Sequence, residues 1–256
     1  MRNIRLIARL DIKAPNLVKG IQLEGLRKLG DPQQFALRYY TEGIDEIFYL
    51  DIVASLYDRN SLTEIIDKTT RNVFVPITVG GGLRSVEDVS QALRCGADKV
   101  SINTAAIKNP NVITSVARRF GNQCMVLSIE AKKKNDHWEA YYDNGREPSG
   151  LNVVDWAIEG EKRGAGEIIL TSVDQEGTGK GFDTDLVDAV TSSVDIPVVA
   201  SGGMGRLDHL FDVISKGQAD AVAMANVLHY EKLSLHEIRN YCIENGWPVR
   251  RPRRIQ

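Results

Sequence analysis

Two acidic residues stand where short apolar runs end: Asp11 in IARLDIK and Glu130 in LSIEAKK. A carboxyl group at a strand end can give or take a proton. Two of them divide those roles when their surroundings push their pKa values apart. Two glycine-rich turns, Gly80-Gly81-Gly82 and Gly202-Gly203, close similar runs. Glycine lets backbone N–H groups approach an anion closely, and a following helix start adds a favourable dipole, so each turn reads as a phosphate cradle. One strand-helix unit further on, Asn103-Thr104 and Ala225-Asn226 can supply more donors. Two cradles half a fold apart predict a ligand with a phosphate at each end. Asp51, Thr171 and Asp174 mark the ends of other runs. The stretch from Gly177 to Gly181 lacks P-loop spacing and reads as a flexible loop at the site. Lys19 lies in a connection, 13–31, whose length predicts a lid. At the opposite ends of the runs stand Arg5, Glu46, Lys99 and Glu167, read as one charge at the start of every second strand, with Asp98 on the rim. They predict a charged ring across the far end, a salt-bridge plug or a gate.

These residues need elements to place them. Strand-like runs near 4–11, 46–51, 75–80, 98–103, 125–130, 167–172, 196–201 and 220–225 alternate with helical patterns, which implies βα units and a parallel sheet. Most are apolar on both faces, as buried parallel strands are. Ser85 with Asp88 opens a helix over 85–96, Asn109-Pro110 opens one over 109–120, and another spans 233–245. The chain also repeats itself. VPITVGGGLRSVEDVSQALRCGADKVSINT at 75–104 is echoed by IPVVASGGMGRLDHLFDVISKGQADAVAMAN at 196–226. Asp11 with Glu130 and Glu46 with Glu167 keep the same offset of about 120 residues. Eight βα units built from a twofold repeat predict a (β/α)8 barrel, with its active site at the C-terminal strand ends. A doubly wound open sheet is the alternative. The expected organisation is one domain over 1–256, with half-barrels about 1–122 and 123–246 and a basic tail over 247–256.

Composition narrows the function classes. A net charge of −2 gives no general argument for nucleic acid or membrane partners, and the arginine-rich tail reads as a solvated, frayed end. Cys95, Cys124 and Cys242 have neither metal-site spacing nor even number, and the four histidines show no ligand pattern. No metal or cofactor is expected. The absence of a signal-like or membrane-length run points to the cytoplasm.

The stretches GIDEIFYLDI, VPITVGGG, GADKVSINTAA, EKRGAGEIILTS, GTGKGFDTD and IPVVASGGMG resemble the cyclase subunit family of imidazole glycerol phosphate synthase over essentially the whole chain. The resemblance implies a lyase-type cyclase with two phosphate sites and a partner glutaminase docked at the barrel bottom. Ammonia from that partner would pass a gate of Arg5, Glu46, Lys99 and Glu167 and cross the barrel. Asp98 matches a docking position. Asp11 and Glu130 match the acid/base pair, and Lys19, Asp51, Gly81, Gly82, Asn103, Thr104, Thr171, Asp174, Gly177, Gly202, Gly203, Ala225 and Asn226 fall among the substrate and phosphate positions. Several residues depart from the family pattern. Glu130 and Glu176 stand for aspartates, Arg9 for a cysteine, Ala14-Pro15-Asn16 for Asp-Gly-Arg, and Asn226 for a serine. All lie at the top, while the bottom charges match. That asymmetry leads to the expectation of a paralogue that keeps ammonia delivery but serves a sugar amidotransferase in surface-polysaccharide synthesis. The alternatives are an authentic histidine-pathway cyclase and a non-catalytic scaffold that activates the glutaminase.

Overall fold

The structure, a computed structural model, describes residues 3–54 and 62–251. Strand β1 (Arg5–Lys13) is apolar on its outer face and mostly charged on its inner one. Leu6, Ala8, Leu10 and Ile12 face the helices and join the large outer core. Ile7 points the other way, into a separate inner cluster with Phe48, Val126, Ile169, Val199, Ala221 and Ala223. Side chains alternate across a strand, so one run supplies both the packing and the lumen.

Seven further parallel strands complete the ring: β4 (Glu46–Asp51), β5 (Ile77–Gly80), β6 (Lys99–Ile102), β7 (Met125–Lys134), β10 (Glu167–Ser172), β11 (Val198–Ser201) and β12 (Ala221–Met224). They pair in that order from β1, and β12 pairs with β1 to close the barrel. The closure excludes the open sheet and establishes the (β/α)8 barrel.

The predicted lid over 13–31 is not a structureless loop. It is an antiparallel pair, β2 (Asn16–Ile21) and β3 (Glu24–Gly30), extending β1 above the barrel. Strand β7 carries the matching extension, β8 (His137–Tyr142) and β9 (Glu147–Asn152). Each half of the chain therefore begins with a strand followed by an antiparallel pair.

The helix Val86–Arg94 starts with the expected capping box, Ser85 and Asp88 satisfying each other's backbone N–H groups. The helix predicted over 109–120 runs over Asn111–Phe120, and a separate short helix, Thr104–Lys108, precedes it. Pro110 sits before the second rather than inside it, and the Asn109 side chain accepts from the Asn111 N–H at 3.2 Å. The tail also departs from expectation. Residues 252–256 lie outside the described residues, but Arg250 is docked, donating to Asp45 at 2.8 Å and to the carbonyls of Gly43 and Ile44. Among the described residues no helix is long and apolar enough to cross a membrane.

Candidate active site

At the bottom of the barrel the four charges meet. Arg5 Nη1 donates to Glu46 at 2.7 Å, and Lys99 Nζ donates to Glu46 at 2.9 Å and to Glu167 at 2.7 Å. Arg5 also pairs with Glu167, closing the ring. The arrangement is not one charge on every second strand. Glu46, Lys99 and Glu167 stand on the second, fourth and sixth barrel strands, but the eighth offers only Ala221. Arg5 of β1, in register with Ala221, supplies the missing charge from the neighbouring strand. Burial tends to lower the Arg5 pKa, yet Glu167 and Glu46 raise it overall. Burial pushes Glu46 the other way, but Lys99 and Arg5 hold its carboxyl below the usual range. Asp98 is exposed beside the ring, and its carboxylate accepts the Ile77 N–H at 2.8 Å. Asp45 and Asp220 accept the Leu6 and Val198 N–H groups in the same way, so these aspartates cap strand starts.

At the top, Asp11 is 2% exposed and accepts from two cations, Arg9 Nε at 2.8 Å and Lys19 Nζ at 3.2 Å. Burial alone would raise its pKa. The Arg9 guanidinium and the Lys19 ammonium outweigh burial and hold Asp11 at about 2. Glu130 is also buried, but among the described residues it receives only one hydrogen bond, from the Gly145 N–H at 2.7 Å. Burial pushes it up to about 7, and Arg9 only partly opposes that. The two acids therefore sit in opposite protonation regimes, an arrangement suited to proton transfer at neutral pH.

The two cradles are unequal. Asp51, Gly81, Gly82, Asn103, Thr104 and Glu130 line one cavity of about 410 Å³. Gly81 has to be glycine, since its φ is +90° and an added methyl would lie 2.1 Å from the Asp51 carbonyl oxygen. Asn103 donates to the Tyr141 carbonyl at 3.0 Å, while its own amide oxygen is buried without a partner among the described residues. The Thr104 hydroxyl accepts from the Asp143 N–H at 3.1 Å. Gly177, Gly202, Gly203, Ala225 and Asn226 line a second cavity of only about 20 Å³. Thr171 lies below it and accepts from Arg9 Nη1 at 3.0 Å. Asp174 joins neither cavity. It ties the loops together, accepting from the Lys133 N–H at 2.8 Å and, through its carbonyl, from Gln22 at 3.1 Å.

Sequence reasoning noted Arg9 and Glu176 only as departures from a pattern and did not place them in the site. Arg9 crosses the lumen to bond Ser201 as well, at 3.1 Å, and Glu176 pairs with Lys19. An arginine two residues before a strand-end acid, and so on the same face of the strand, was the available signal. Arg84 and Lys108, which bring positive charge to the first cavity, and Asn144 from the β8–β9 turn were also missed.

The sequence profile described as Histidine biosynthesis protein matches residues 5–234. The chain belongs to this family. Relatives within the family include the Imidazole glycerol phosphate synthase subunit HisF of Legionella pneumophila, 66% identical over 81% of this chain and 99% of the relative. The protein of the same name from Dehalococcoides mccartyi (strain ATCC BAA-2100 / JCM 16839 / KCTC 5957 / BAV1) is 45% identical over 98% of this chain and 99% of its own length. That from Prochlorococcus marinus (strain MIT 9312) is 46% identical over 96% and 98%. In this histidine biosynthesis family member, the barrel thus presents an acid pair at one end and an ion-paired ring at the other.

Proposed function

We propose that the chain is the cyclase subunit of an imidazole glycerol phosphate synthase. It joins ammonia to a formimino ribotide at the barrel mouth with loss of water, and closes the imidazole ring on the formimino carbon as the aminoimidazole carboxamide ribotide leaves. The carrying observation is a pair of buried acids in opposite surroundings, Asp11 bonded to Arg9 and Lys19 and Glu130 to the Gly145 N–H, which hold Asp11 low and leave Glu130 high. Ammonia adds through its lone pair to a carbonyl carbon of the acceptor. The new nitrogen gives up a proton as the carbonyl oxygen takes one. Glu130, with a pKa near the working pH, serves both transfers in turn. Asp11, fixed as an anion, steadies the positive charge that develops on the nitrogen. Asn103, Thr104 and the Gly81-Gly82 turn hold the acceptor's phosphate. A glutaminase docked at the bottom, with Asp98 on its contact face, supplies ammonia through the ring and the apolar lumen above it.

The names of the relatives support this reading over a sugar-amidating paralogue, for which they offer nothing. One observation favours an altered acceptor all the same: Arg9 and Glu176 fill the second cradle. Steady-state turnover of the formimino ribotide with an ammonium salt separates the readings. Ordinary cyclase rates, lost in D11N, support the cyclase. Absent turnover in a folded protein sinks it and leaves the barrel an altered acceptor or a scaffold role, and wild-type rates in D11N would remove Asp11 from the chemistry.

A further inference from the structure

The halves of the barrel repeat each other, yet one glycine cradle is open and the other is filled by the protein itself. Three side chains do the filling. Glu176, 3% exposed, reaches in from the loop after β10, and a methyl group added at Gly202 would lie 3.2 Å from its Oε2. Asn226 spans the top, its amide nitrogen 3.4 Å from the Gly177 carbonyl and its oxygen 2.7 Å from Lys232 Nζ. Arg9 lies beneath, 2% exposed, with Nη2 buried and without a hydrogen-bond partner among the described residues. The remaining space, about 20 Å³, holds about one water and not the four oxygens of a phosphate.

We propose that the Glu176 carboxylate is a resident anion in the second cradle, so that the mouth takes one phosphate freely, at Gly81-Gly82, and a second only by displacing Glu176. The carboxylate supplies the negative charge a phosphate would bring, and repels a phosphate at the same glycines. Its counter-charge is built in. Lys19 pairs with Glu176 and Asp11 together, and Lys19 comes from β2, so the filled cradle also pins the β2–β3 hairpin over the mouth. The Gln22 N–H to the Glu176 carbonyl, at 2.8 Å, fastens the tip of that hairpin to the same loop. Asp51 and Glu130 also line the open cavity, but Arg84 and Lys108 line it with them and about 410 Å³ remains free. An acceptor's first phosphate is therefore seated without rearrangement at Gly81-Gly82. A ribotide with phosphates at both ends must break the Glu176–Lys19 pair to seat its second one.

The proposal rests on the glycine turns being phosphate cradles, not on ribotide turnover, so the two can fail separately. The test is titration of isotope-labelled full-length protein with inorganic phosphate at constant ionic strength, following backbone amide resonances. In the wild type, Gly82 and Thr104 should shift and saturate, while Gly203 and Asn226 stay unmoved to at least tenfold higher phosphate. In E176A all four should respond. E176Q, which keeps the shape and loses the charge, should bring Gly203 and Asn226 into range at least tenfold earlier than in the wild type. Equal saturation of both cradles in the wild type would overturn the proposal. So would a wild type in which neither responds, or folded E176A and E176Q proteins whose second cradle stays silent.

Discussion

Glu130 and Asp11 share the barrel mouth but differ in the company they keep. Asp11 has a guanidinium and an ammonium within hydrogen-bond reach, whereas Glu130 has one backbone N–H. The difference sets a pH dependence with opposite signs. Glu130 binds its proton more tightly in the folded chain than in the unfolded one, so its contribution is fullest below the ordinary glutamate value and is lost as pH rises through about 7. Asp11 holds its proton less tightly when folded, and its contribution is lost as pH falls from the ordinary aspartate value towards about 2. E130Q should therefore gain stability relative to the wild type as pH rises from 5 to 9, by up to ~3 kcal/mol, measured by urea unfolding at each pH. The same variant should lose the inflection near neutrality in ammonium-dependent turnover. An unchanged pH profile in E130Q would remove Glu130 from the proton transfer. E130D tests position separately. A carboxyl drawn back by one methylene is misplaced by about an ångström, enough to change the rate roughly 100-fold.

The elements that carry these residues were partly legible from sequence. The eight barrel strands were readable because parallel strands with both faces covered leave dense apolar runs. The antiparallel extensions were not. The β2–β3 turn uses Gln22 and Leu23 at φ of +51° and +64°, with none of the glycine or asparagine that signals a two-residue hairpin. Leu23 is buried, which stabilises a turn that its own residue types disfavour. The glycine cradles and the strand-end acids were legible because a barrel puts function at one end of every strand. The closure of the second cradle was not, since it depends on how far Arg9 reaches across the lumen from β1 and on how the loop after β10 turns Glu176 inward. The ring at the bottom was legible as composition and wrong in its spacing, because Ala221 leaves a gap that only the closed register assigns to Arg5. Lys99 bridges both glutamates in that ring. K99M leaves Arg5 alone to compensate two buried carboxylates, and the expected loss is about 2 kcal/mol, below the 3–5 typical of fully buried pairs because Arg5 is a quarter exposed. Glutamine-supported turnover of the assembled complex should change several-fold while ammonium-supported turnover of the barrel stays within twofold. Equal effects on both would make the ring a structural plug.

Across the whole molecule, the barrel is closed twice between its first and last strands. Strand β12 pairs with β1, and beyond the final helix (Leu235–Glu244) the chain returns to the bottom, where Ile4 bridges Val249 and the Ile4 N–H donates to the Pro248 carbonyl at 2.7 Å. Asp45 is the hub of that closure. It accepts from Arg239 at 3.0 Å, from Arg250 at 2.8 Å and from the Leu6 N–H at 2.9 Å, so one carboxylate joins β1, the final helix and the tail. The partners are unequal. The Arg239 side chain is 3% exposed and that of Arg250 is 52% exposed. Removing the exposed partner forfeits a solvent-screened pair, so R250A should cost about 1 kcal/mol or less. D45A strands the buried Arg239 guanidinium without its carboxylate and should cost about 3 kcal/mol, which in a chain of this size lowers Tm by roughly 6–12 °C. Calorimetry on both variants tests the ranking. Because the closure lies at the end opposite the acids, ammonium-dependent turnover at low temperature should be preserved in D45A. If D45A matched R250A in stability, the tail and not the buried hub would be what holds the first and last strands together.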